Sequence, residues 1–242
     1  MKVLRPEEMS VALLAGGLAT RLRPITETIP KCLVEVAGRP FLEHQFALLR
    51  RCGIKKVVLC VGHMGDKVRA FAGDGERFGL ELAYSFDGEA PLGTGGALRQ
   101  ALPLLTDPFF VLYGDSYLPI DFGAVALSFL ESSAVGCMTV FRNEHQWDAS
   151  NVWFDNGRIQ LYHKRTPDPQ MRHIDYGLGL LRHDAFLHAP AVGGFDLSLL
   201  YERLVIAGSL QGQEVSKRFY EIGSPAGLVE LDAHLRQIPS SS

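Results

Sequence analysis

The chain has 242 residues, of which 47% are hydrophobic and 21% charged, and its formal net charge is −3 at pH 7. This composition excludes a disordered chain and allows one sizeable hydrophobic core. It also argues against nucleic acid and anionic membranes as partners, because there is no basic excess and no run of Lys or Arg. No apolar stretch reaches the ~18–20 residues that cross a bilayer.

The four cysteines, at positions 32, 52, 60 and 137, have neither a CxxC pair nor the spacing of a metal site. This pattern is typical of reduced, mostly buried thiols. Residues 1–8 lack the apolar core of a signal peptide. We therefore expect a cytoplasmic protein.

Strand-like and helix-like segments alternate along the first half of the chain. Apolar runs predict strands at 10–15, 56–61, 80–86 and 108–113, and helical periodicity predicts helices at 41–52, 66–72 and 95–105. This βαβα order predicts a parallel, doubly wound sheet that binds ligands at the carboxyl ends of its strands.

The second half is richer in strands. We predict strands at 135–142, 151–154, 158–162 and 176–181, and a closing helix at 227–237. No linker or repeat interrupts the chain. We therefore predict one domain over 1–238, with two halves that meet at about residue 120, and a disordered tail at 239–242.

The loop after the first strand is the most informative segment. Gly16 and Gly17 form a tight turn, and a polar loop carrying Arg21 and Lys31 follows. Glycines at a strand end let backbone N–H groups approach a phosphate, and Arg and Lys supply the opposing charge. The spacing is not that of a Walker A loop, and Ala19 breaks the dinucleotide fingerprint. We interpret the segment as a polyphosphate-binding loop; the alternative is a βα turn with solvated charges.

Residues 16–31 read GGLATRLRPITETIPK. This resembles the pattern G-G-x-G-T-R-L-x-P-x-T-x-x-x-P-K-P of the sugar-1-phosphate nucleotidylyltransferases, with Ala19 in place of a glycine and Cys32 in place of the second proline. The resemblance extends along nearly the whole chain. It implies a single α/β domain with a Rossmann-like, doubly wound mixed sheet of the nucleotide-diphospho-sugar transferase type. It also implies a nucleotide half at about 1–120 and a sugar-phosphate half at about 121–238.

The same resemblance implies an activity. A nucleotidyl group would pass from a nucleoside triphosphate to a sugar 1-phosphate, with Mg²⁺ as cofactor and pyrophosphate as the second product. Arg21 would grip the departing phosphates, Lys31 would stabilise the α-phosphate, and no general base is needed because the sugar phosphate is already an anion.

A second motif, PLGTGGAL at 91–98, is close to the family's L-G-T-[AG]-[GH]-A. Its glycines leave a flat surface for a base, and Thr94 is placed to cap the following helix; a plain loop before a helix is the alternative. The family reads the base with an upstream Gln or Glu, and either Asp87 or Glu89 could take that role. The resemblance thus implies nucleotide contacts at Leu14, Ala15, Gly16, Gly17, Asp87, Gly93 and Thr94.

Carboxylates near two strand ends are candidate metal ligands. Asp115 follows a buried strand, where side chains face the ligand crevice, and Mg²⁺ prefers one or two carboxylates with phosphate and water oxygens. The resemblance implies that Asp115 binds the metal. Residues 219–225, FYEIGSP, resemble the family's W-x-D-x-G-[TS]-P segment and imply a second ligand at Glu221. A structural salt bridge is the alternative for Glu221.

The sugar phosphate would meet the second half of the chain. Residues 162–164, YHK, fall where the family carries E-K-P, and residues 174–179 resemble its N-x-G-I-Y strand with Asp175 replacing asparagine. The resemblance implies sugar-phosphate contacts at Asn151, Lys164, Asp175, Tyr176 and Gly177. Each of these alone is equally well explained as a surface residue.

Two other functions stay open. One is a cytidylyltransferase for phosphocholine or a polyol phosphate. The other is a non-enzymatic, nucleotide-sugar-binding regulator, to which the departures at Ala19, His163, Asp175 and Glu221 give weight. The base, the sugar and the choice between monomer and homodimer are not readable from the sequence.

Overall fold

The computed structural model describes residues 4–17, 20–166 and 168–238. The departure at Ala19 and the tail expected at 239–242 lie outside these residues. The strands are β1 (Val11–Leu14), β2 (Glu35–Val36), β3 (Arg39–Pro40), β4 (Lys56–Val61), β5 (Glu81–Phe86), β6 (Phe109–Tyr113), β7 (Ser116–Tyr117), β8 (Gly136–Arg142), β9 (Val152–Asp155), β10 (Arg158–Tyr162), β11 (His173–Leu181), β12 (Leu210–Val215) and β13 (Tyr220–Glu221). The α-helices are α1 (Phe41–Arg51), α2 (Gly65–Ala72), α3 (Gly93–Ala101), α4 (Phe122–Leu130), α5 (Leu197–Ile206) and α6 (Pro225–Gln237).

Within the described residues, nine strands form one sheet in the order β5-β4-β1-β6-β11-β8-β12-β10-β9. The first four run parallel, so their carboxyl ends meet at one edge. β11 is antiparallel to both β6 and β8. The sheet is therefore mixed, as the resemblance implied, and the purely parallel arrangement holds only for the strands of the first half.

Alternate side chains of β1 point to opposite faces of the sheet and enter different apolar clusters. Val11 and Leu13 join a cluster that packs under α1, α2 and α4, whereas Ala12 and Leu14 join the cluster under α3 and α5. Successive residues of a strand point to opposite faces, so a fully apolar strand such as β1 is covered by helices on both sides. This is the layered structure of a doubly wound fold.

The sequence prediction missed helices α4 and α5, strand β12 and the two-residue strands β2, β3, β7 and β13. Helix α4 is apolar along most of its length, which hides its periodicity. Helix α5 did carry a readable signal, an N-cap aspartate before buried residues at helical spacing. Strand β12 is largely polar; it fits the sheet because Gly212 leaves room for the Phe154 and Ile159 side chains.

A small ribbon outside the main sheet brings the C-terminal segment to the site. β13 pairs antiparallel with β7, and the Ile222 N–H donates to the Asp115 carbonyl at 2.9 Å. Ile222 and Leu231 pack with Tyr117 in a third apolar cluster. This packing fixes the turn before α6 beside the end of β6. No helix in the described part of the chain is long and apolar enough to cross a membrane.

Candidate nucleotide site

A cavity of about 570 Å³ lies at the carboxyl ends of the parallel strands. The residues that follow β1, β4, β5 and β6 line it, as expected for a ligand crevice in an open α/β sheet. Nine residues named from the sequence are in the lining: Leu14, Ala15, Gly16, Gly17, Lys31, Asp87, Gly93, Thr94 and Asp115. Glu89, the alternative to Asp87, also lines the cavity.

Close backbone contacts explain two of the glycines. A β-carbon on Gly16 would stand 3.0 Å from the backbone nitrogen of Gly62, and one on Gly114 would stand 2.5 Å from the Leu14 carbonyl oxygen. The ends of β1, β4 and β6 therefore approach one another only because these positions carry no side chain. The close packing brings the Gly16 loop and Asp115 into one wall of the cavity.

The two strongest catalytic candidates are in direct contact. The Lys31 Nζ donates to Asp115 Oδ2 at 2.6 Å. Lys31 begins a short 3-10 helix at the end of the long loop, and Asp115 follows β6, 84 residues later. Only 15% of the Lys31 side chain is exposed, against 37% of the Asp115 side chain.

Arg21 and Glu221 lie next to this pair, around Gly223. A β-carbon on Gly223 would stand 3.2 Å from both the Arg21 guanidinium and the Lys31 ammonium. Both Glu221 oxygens accept hydrogen bonds from the turn that follows β13, one from the Gly223 N–H and the other from the Ser224 hydroxyl at 2.6 Å. The metal-binding role of Glu221 stays a prediction. The salt bridge given as its alternative is not seen either, since within residues 4–17, 20–166 and 168–238 no ion pair includes Glu221 and its carboxylate is held by hydrogen bonds to its own turn.

The donor set fits a magnesium ion that arrives with phosphates. Asp115 offers one carboxylate to the cavity, and no group of three or more His, Cys, Asp or Glu side chains able to hold a metal exists among residues 4–17, 20–166 and 168–238. An all-protein metal cage is thus missing from that part of the chain. A single carboxylate with phosphate and water oxygens is a usual magnesium environment.

The second motif lines the cavity, but Thr94 does not cap α3. The helix begins earlier than expected, at Gly93, and its N-cap position is Leu92, without a side-chain cap. The Thr94 hydroxyl accepts a hydrogen bond from the Leu197 N–H at 2.8 Å. The Gly95 and Gly96 N–H groups donate to the Phe195 carbonyl. The helix end is therefore satisfied by the start of α5, which ties the two halves together.

The structure brings part of the sugar-phosphate set close to the cavity. A β-carbon on Gly177 would stand 3.6 Å from the ring of Tyr113, a cavity residue. Asp175 holds the irregular middle of β11 by accepting the Gly177 N–H at 3.0 Å. Burial is the largest influence on the Asp175 carboxyl and raises its pKa to about 6, although the nearby Lys164 acts in the opposite direction.

The other members of this set have different surroundings. The Asn151 side chain accepts the Asp175 N–H at 2.9 Å, so it shapes the strand. Lys164 pairs with Asp196 at 3.1 Å, and the pair is about half exposed. Tyr176 is buried, and its ring packs against those of Phe141 and Phe219. That ring belongs to the core rather than to the cavity wall.

Several site residues were not found from the sequence. Gly62, His63, Gly88, Pro91 and Tyr113 also line the cavity. Gly62 directly follows the apolar run of β4, and this position at a strand end is the sequence signal that could have identified it. No sequence signal indicates the Lys164–Asp196 ion pair, whose partners are 32 residues apart.

All four cysteines are free, as predicted, and burial raises the pKa of Cys32 and Cys60 to about 12.

Comparison with known proteins agrees with this geometry. A family model described as Nucleotidyl transferase matches residues 11–162. The D-glycero-alpha-D-manno-heptose 1-phosphate guanylyltransferase of Campylobacter jejuni is 38% identical over 178 residues, which cover 74% of this chain and 78% of that protein. The UTP--glucose-1-phosphate uridylyltransferase of Synechocystis is 28% identical over 217 residues, which cover 83% of this chain and 56% of that protein.

Among the curated relatives that it matches, the chain spans about half the length of several. A Bacillus anthracis structure, assigned as a glucose-1-phosphate thymidylyltransferase and solved with sucrose, superposes with a TM-score of 0.85. It covers 97% of this chain and 98% of that one at 24% identity, which shows a shared fold. The family match and the Campylobacter relative go further: the chain belongs to the nucleotidyl transferase family.

Proposed function

We propose that the protein transfers a nucleotidyl group from a nucleoside triphosphate to a sugar 1-phosphate and releases pyrophosphate. The observation that carries this proposal is the contact between the Lys31 ammonium and the Asp115 carboxylate, 2.6 Å apart on the wall of the cavity. A cation beside a carboxylate able to bind magnesium is what a triphosphate requires. Relatives named for heptose, glucose and N-acetylmuramate 1-phosphates support this acceptor class.

The cavity suits a nucleotide in size and composition. Its volume of about 570 Å³ falls within the usual range of small-molecule sites, roughly 300–1,000 Å³. Backbone at Gly16 and Gly17 would lie along the phosphates, while the turn at Gly93 would lie along the base. Since the whole chain has a net charge of −3, attraction for a polyanion must come from the local cations Arg21 and Lys31.

The chemistry is an in-line displacement at the α-phosphorus. An oxygen of the sugar phosphate forms the new P–O bond, the bond between the α-phosphorus and the bridging oxygen breaks, and its electron pair leaves with pyrophosphate. Lys31 would stabilise charge at the α-phosphate and Arg21 would hold the departing phosphates, so that catalysis depends on positioning and charge neutralisation. Magnesium bound by Asp115 would neutralise further phosphate charge.

The acceptor would enter from the side of Tyr113. There Lys164 could exchange its Asp196 partner for the phosphate of the sugar, because that pair is exposed enough to be weak. Asp175 and Asn151, already joined through the Asp175 backbone, would stand near sugar hydroxyls. The assignments to Glu221 as a metal ligand and to Tyr176 as a sugar contact are not needed for this mechanism.

The test is pyrophosphate release, measured with GTP, UTP, dTTP and CTP against hexose, N-acetylhexosamine and heptose 1-phosphates, with phosphocholine and inositol phosphate as further acceptors. We expect magnesium-dependent turnover with a sugar phosphate. Lys31→Met should lower kcat by about 100-fold or more, the scale for removing one preorganised stabilising group.

Lys56→Met is the matched control. Lys56 is an exposed lysine at the amino end of β4, away from the cavity, and it should keep full activity. Absence of turnover with every pair, or full activity of the Lys31→Met variant, would refute the proposal.

A further inference from the structure

Two carboxylates line the cavity next to the turn proposed to hold the base. Asp87 directly follows β5, and Glu89 stands two residues later. The backbone of Asp87 is fixed, because its N–H donates to the Val61 carbonyl at the end of β4 at 3.0 Å. Asp87 is half-buried, whereas Glu89 is exposed.

Neither carboxylate forms an ion pair with a cation that the structure describes. In the stretches 4–17, 20–166 and 168–238, no Lys, Arg or His side chain forms an ion pair with Asp87 or Glu89. The contact recorded for the Asp87 carboxylate is a long one of 3.4 Å, from the Leu92 N–H to Oδ2. The buried Cys60 thiol lies near Asp87, and His63 also lines the cavity. Asp87 therefore faces the cavity with unused acceptor capacity.

An ionised carboxylate accepts hydrogen bonds and donates none. On its Watson–Crick edge guanine offers two adjacent donors, N1–H and the 2-amino group. Uracil and thymine offer one N–H between two carbonyl oxygens, and cytosine and adenine offer one amino group beside a ring-nitrogen acceptor. Only guanine can donate to both oxygens of a carboxylate, and the other edges place an acceptor against it.

We infer that the protein selects guanosine triphosphate, and that Asp87 is the residue that selects it. This inference rests on the proposed function, since it assumes that the nucleotide lies in this cavity. Asp87 is the stronger of the two candidates because hydrogen bonds of a fixed, half-buried carboxylate compete less with water. A carboxylate at Glu89 would favour the same base. The inferred preference for guanine therefore does not depend on whether Asp87 or Glu89 contacts the base.

The first experiment compares kcat/KM for GTP, inosine triphosphate, UTP, dTTP, CTP and ATP in the pyrophosphate assay. GTP should exceed UTP by about 100-fold or more. Inosine triphosphate, which keeps N1–H and lacks the 2-amino group, should lose about 10- to 100-fold, as expected for one hydrogen bond to a charged group. A preference for any base other than guanine would overturn the inference.

The second experiment uses Asp87→Asn with Glu89→Gln as the matched control. The amide introduced by Asp87→Asn would offer one acceptor and one donor, which fits the N3–H and O4 of uracil, so this isosteric change should reduce GTP use and raise UTP use. Glu89→Gln should keep the GTP preference. An unchanged GTP/UTP ratio in Asp87→Asn, or a switch in Glu89→Gln alone, would overturn the assignment to Asp87.

Direct binding separates this inference from the proposed function. Calorimetry with GDP and UDP in the presence of Mg²⁺ needs no acceptor and no turnover. Tighter binding of GDP, weakened in Asp87→Asn, supports the guanine assignment even if no sugar phosphate reacts. Turnover with a sugar phosphate combined with equal binding of GDP and UDP would leave the proposed function standing and refute the base selection.

Discussion

The contact between Lys31 and Asp115 implies that the lysine and a metal ion compete for one carboxylate. The Lys31 Nζ stands 2.6 Å from Asp115 Oδ2. A divalent ion that binds this oxygen must displace the ammonium or share the oxygen with it. The perturbation that tests this is Lys31→Met, which removes the charge and keeps most of the length of the side chain.

The expected size of the effect follows from the geometry. At 2.6 Å and an effective dielectric constant of about 20, the attraction of the two charges is about 6 kcal/mol before desolvation and screening. The Asp115 side chain is 37% exposed, so solvent reduces the net value to about 1–2 kcal/mol. That difference corresponds to about tenfold in a dissociation constant.

We therefore expect Lys31→Met to bind Mn²⁺ alone about tenfold more tightly than the unmodified protein, in a titration followed by electron paramagnetic resonance. The same variant should lose catalysis, so that metal affinity and turnover change in opposite directions. Lys56→Met should leave both unchanged. Equal or weaker Mn²⁺ binding by Lys31→Met would show that the lysine does not compete at Asp115, and the reasoning from this contact would be wrong.

Three further substitutions, one of them with a matched control, test separate parts of the site. Glu221→Gln should leave Mn²⁺ affinity within about twofold while lowering the free energy of unfolding by about 1 kcal/mol, since the carboxylate that holds its own turn loses charge-assisted hydrogen bonds; a large loss of Mn²⁺ affinity would instead support Glu221 as a metal ligand. Gly114→Ala should lower the free energy of unfolding by about 1–3 kcal/mol in denaturant titrations, because its β-carbon would meet the Leu14 carbonyl oxygen, whereas Gly17→Ala has open space and should have little effect; equal effects would contradict the packing argument. Burial raises the pKa of Asp175 from 3.8 to about 6, so the folded protein binds its proton more tightly, and stability falls as the pH rises from about 4 to above 6. Asp175→Asn should thus raise the free energy of unfolding by about 2–3 kcal/mol at pH 8 and by little at pH 4. An increase of the same size at both pH values would exclude this explanation.

The parallel first half of the sheet and the cavity at its edge could be predicted from the sequence because their signals are local. The loops that line the cavity follow predicted strands, so a strand prediction and a short motif place Gly16, Asp87 and Asp115 at the same edge. Ligands of open α/β sheets bind at the carboxyl ends of the parallel strands, so these residues are expected to meet in one crevice. The position of Lys31 could be predicted only with the loop motif, because a long loop separates this residue from the end of β1.

The remaining contacts depend on the tertiary structure. Thr94 has the residue type and spacing of an N-cap, and the choice between capping and bonding to Leu197 is decided by α5, more than 100 residues away. The Lys164–Asp196 pair and the packing of Tyr176 against Phe219 depend likewise on where distant elements lie. A local sequence pattern does not contain this information. It shows which hydrogen bonds and conformations a residue favours, whereas tertiary neighbours decide which of them form.

The Glu221 carboxylate is held by the turn that follows β13, because it accepts hydrogen bonds from the Gly223 N–H and the Ser224 hydroxyl. Ser224 in turn accepts the Gly227 N–H at 3.0 Å as the N-cap of α6, so the carboxylate is joined to the start of that helix. With Glu221 bound in this way, Asp115 is left as the carboxylate that meets the cavity wall beside Lys31. A metal held by Asp115 while that carboxylate is paired with the Lys31 ammonium would bind weakly alone. A triphosphate would supply further oxygen ligands to the metal and would also attract Lys31. We therefore expect the metal and the nucleotide to bind together, each strengthening the other.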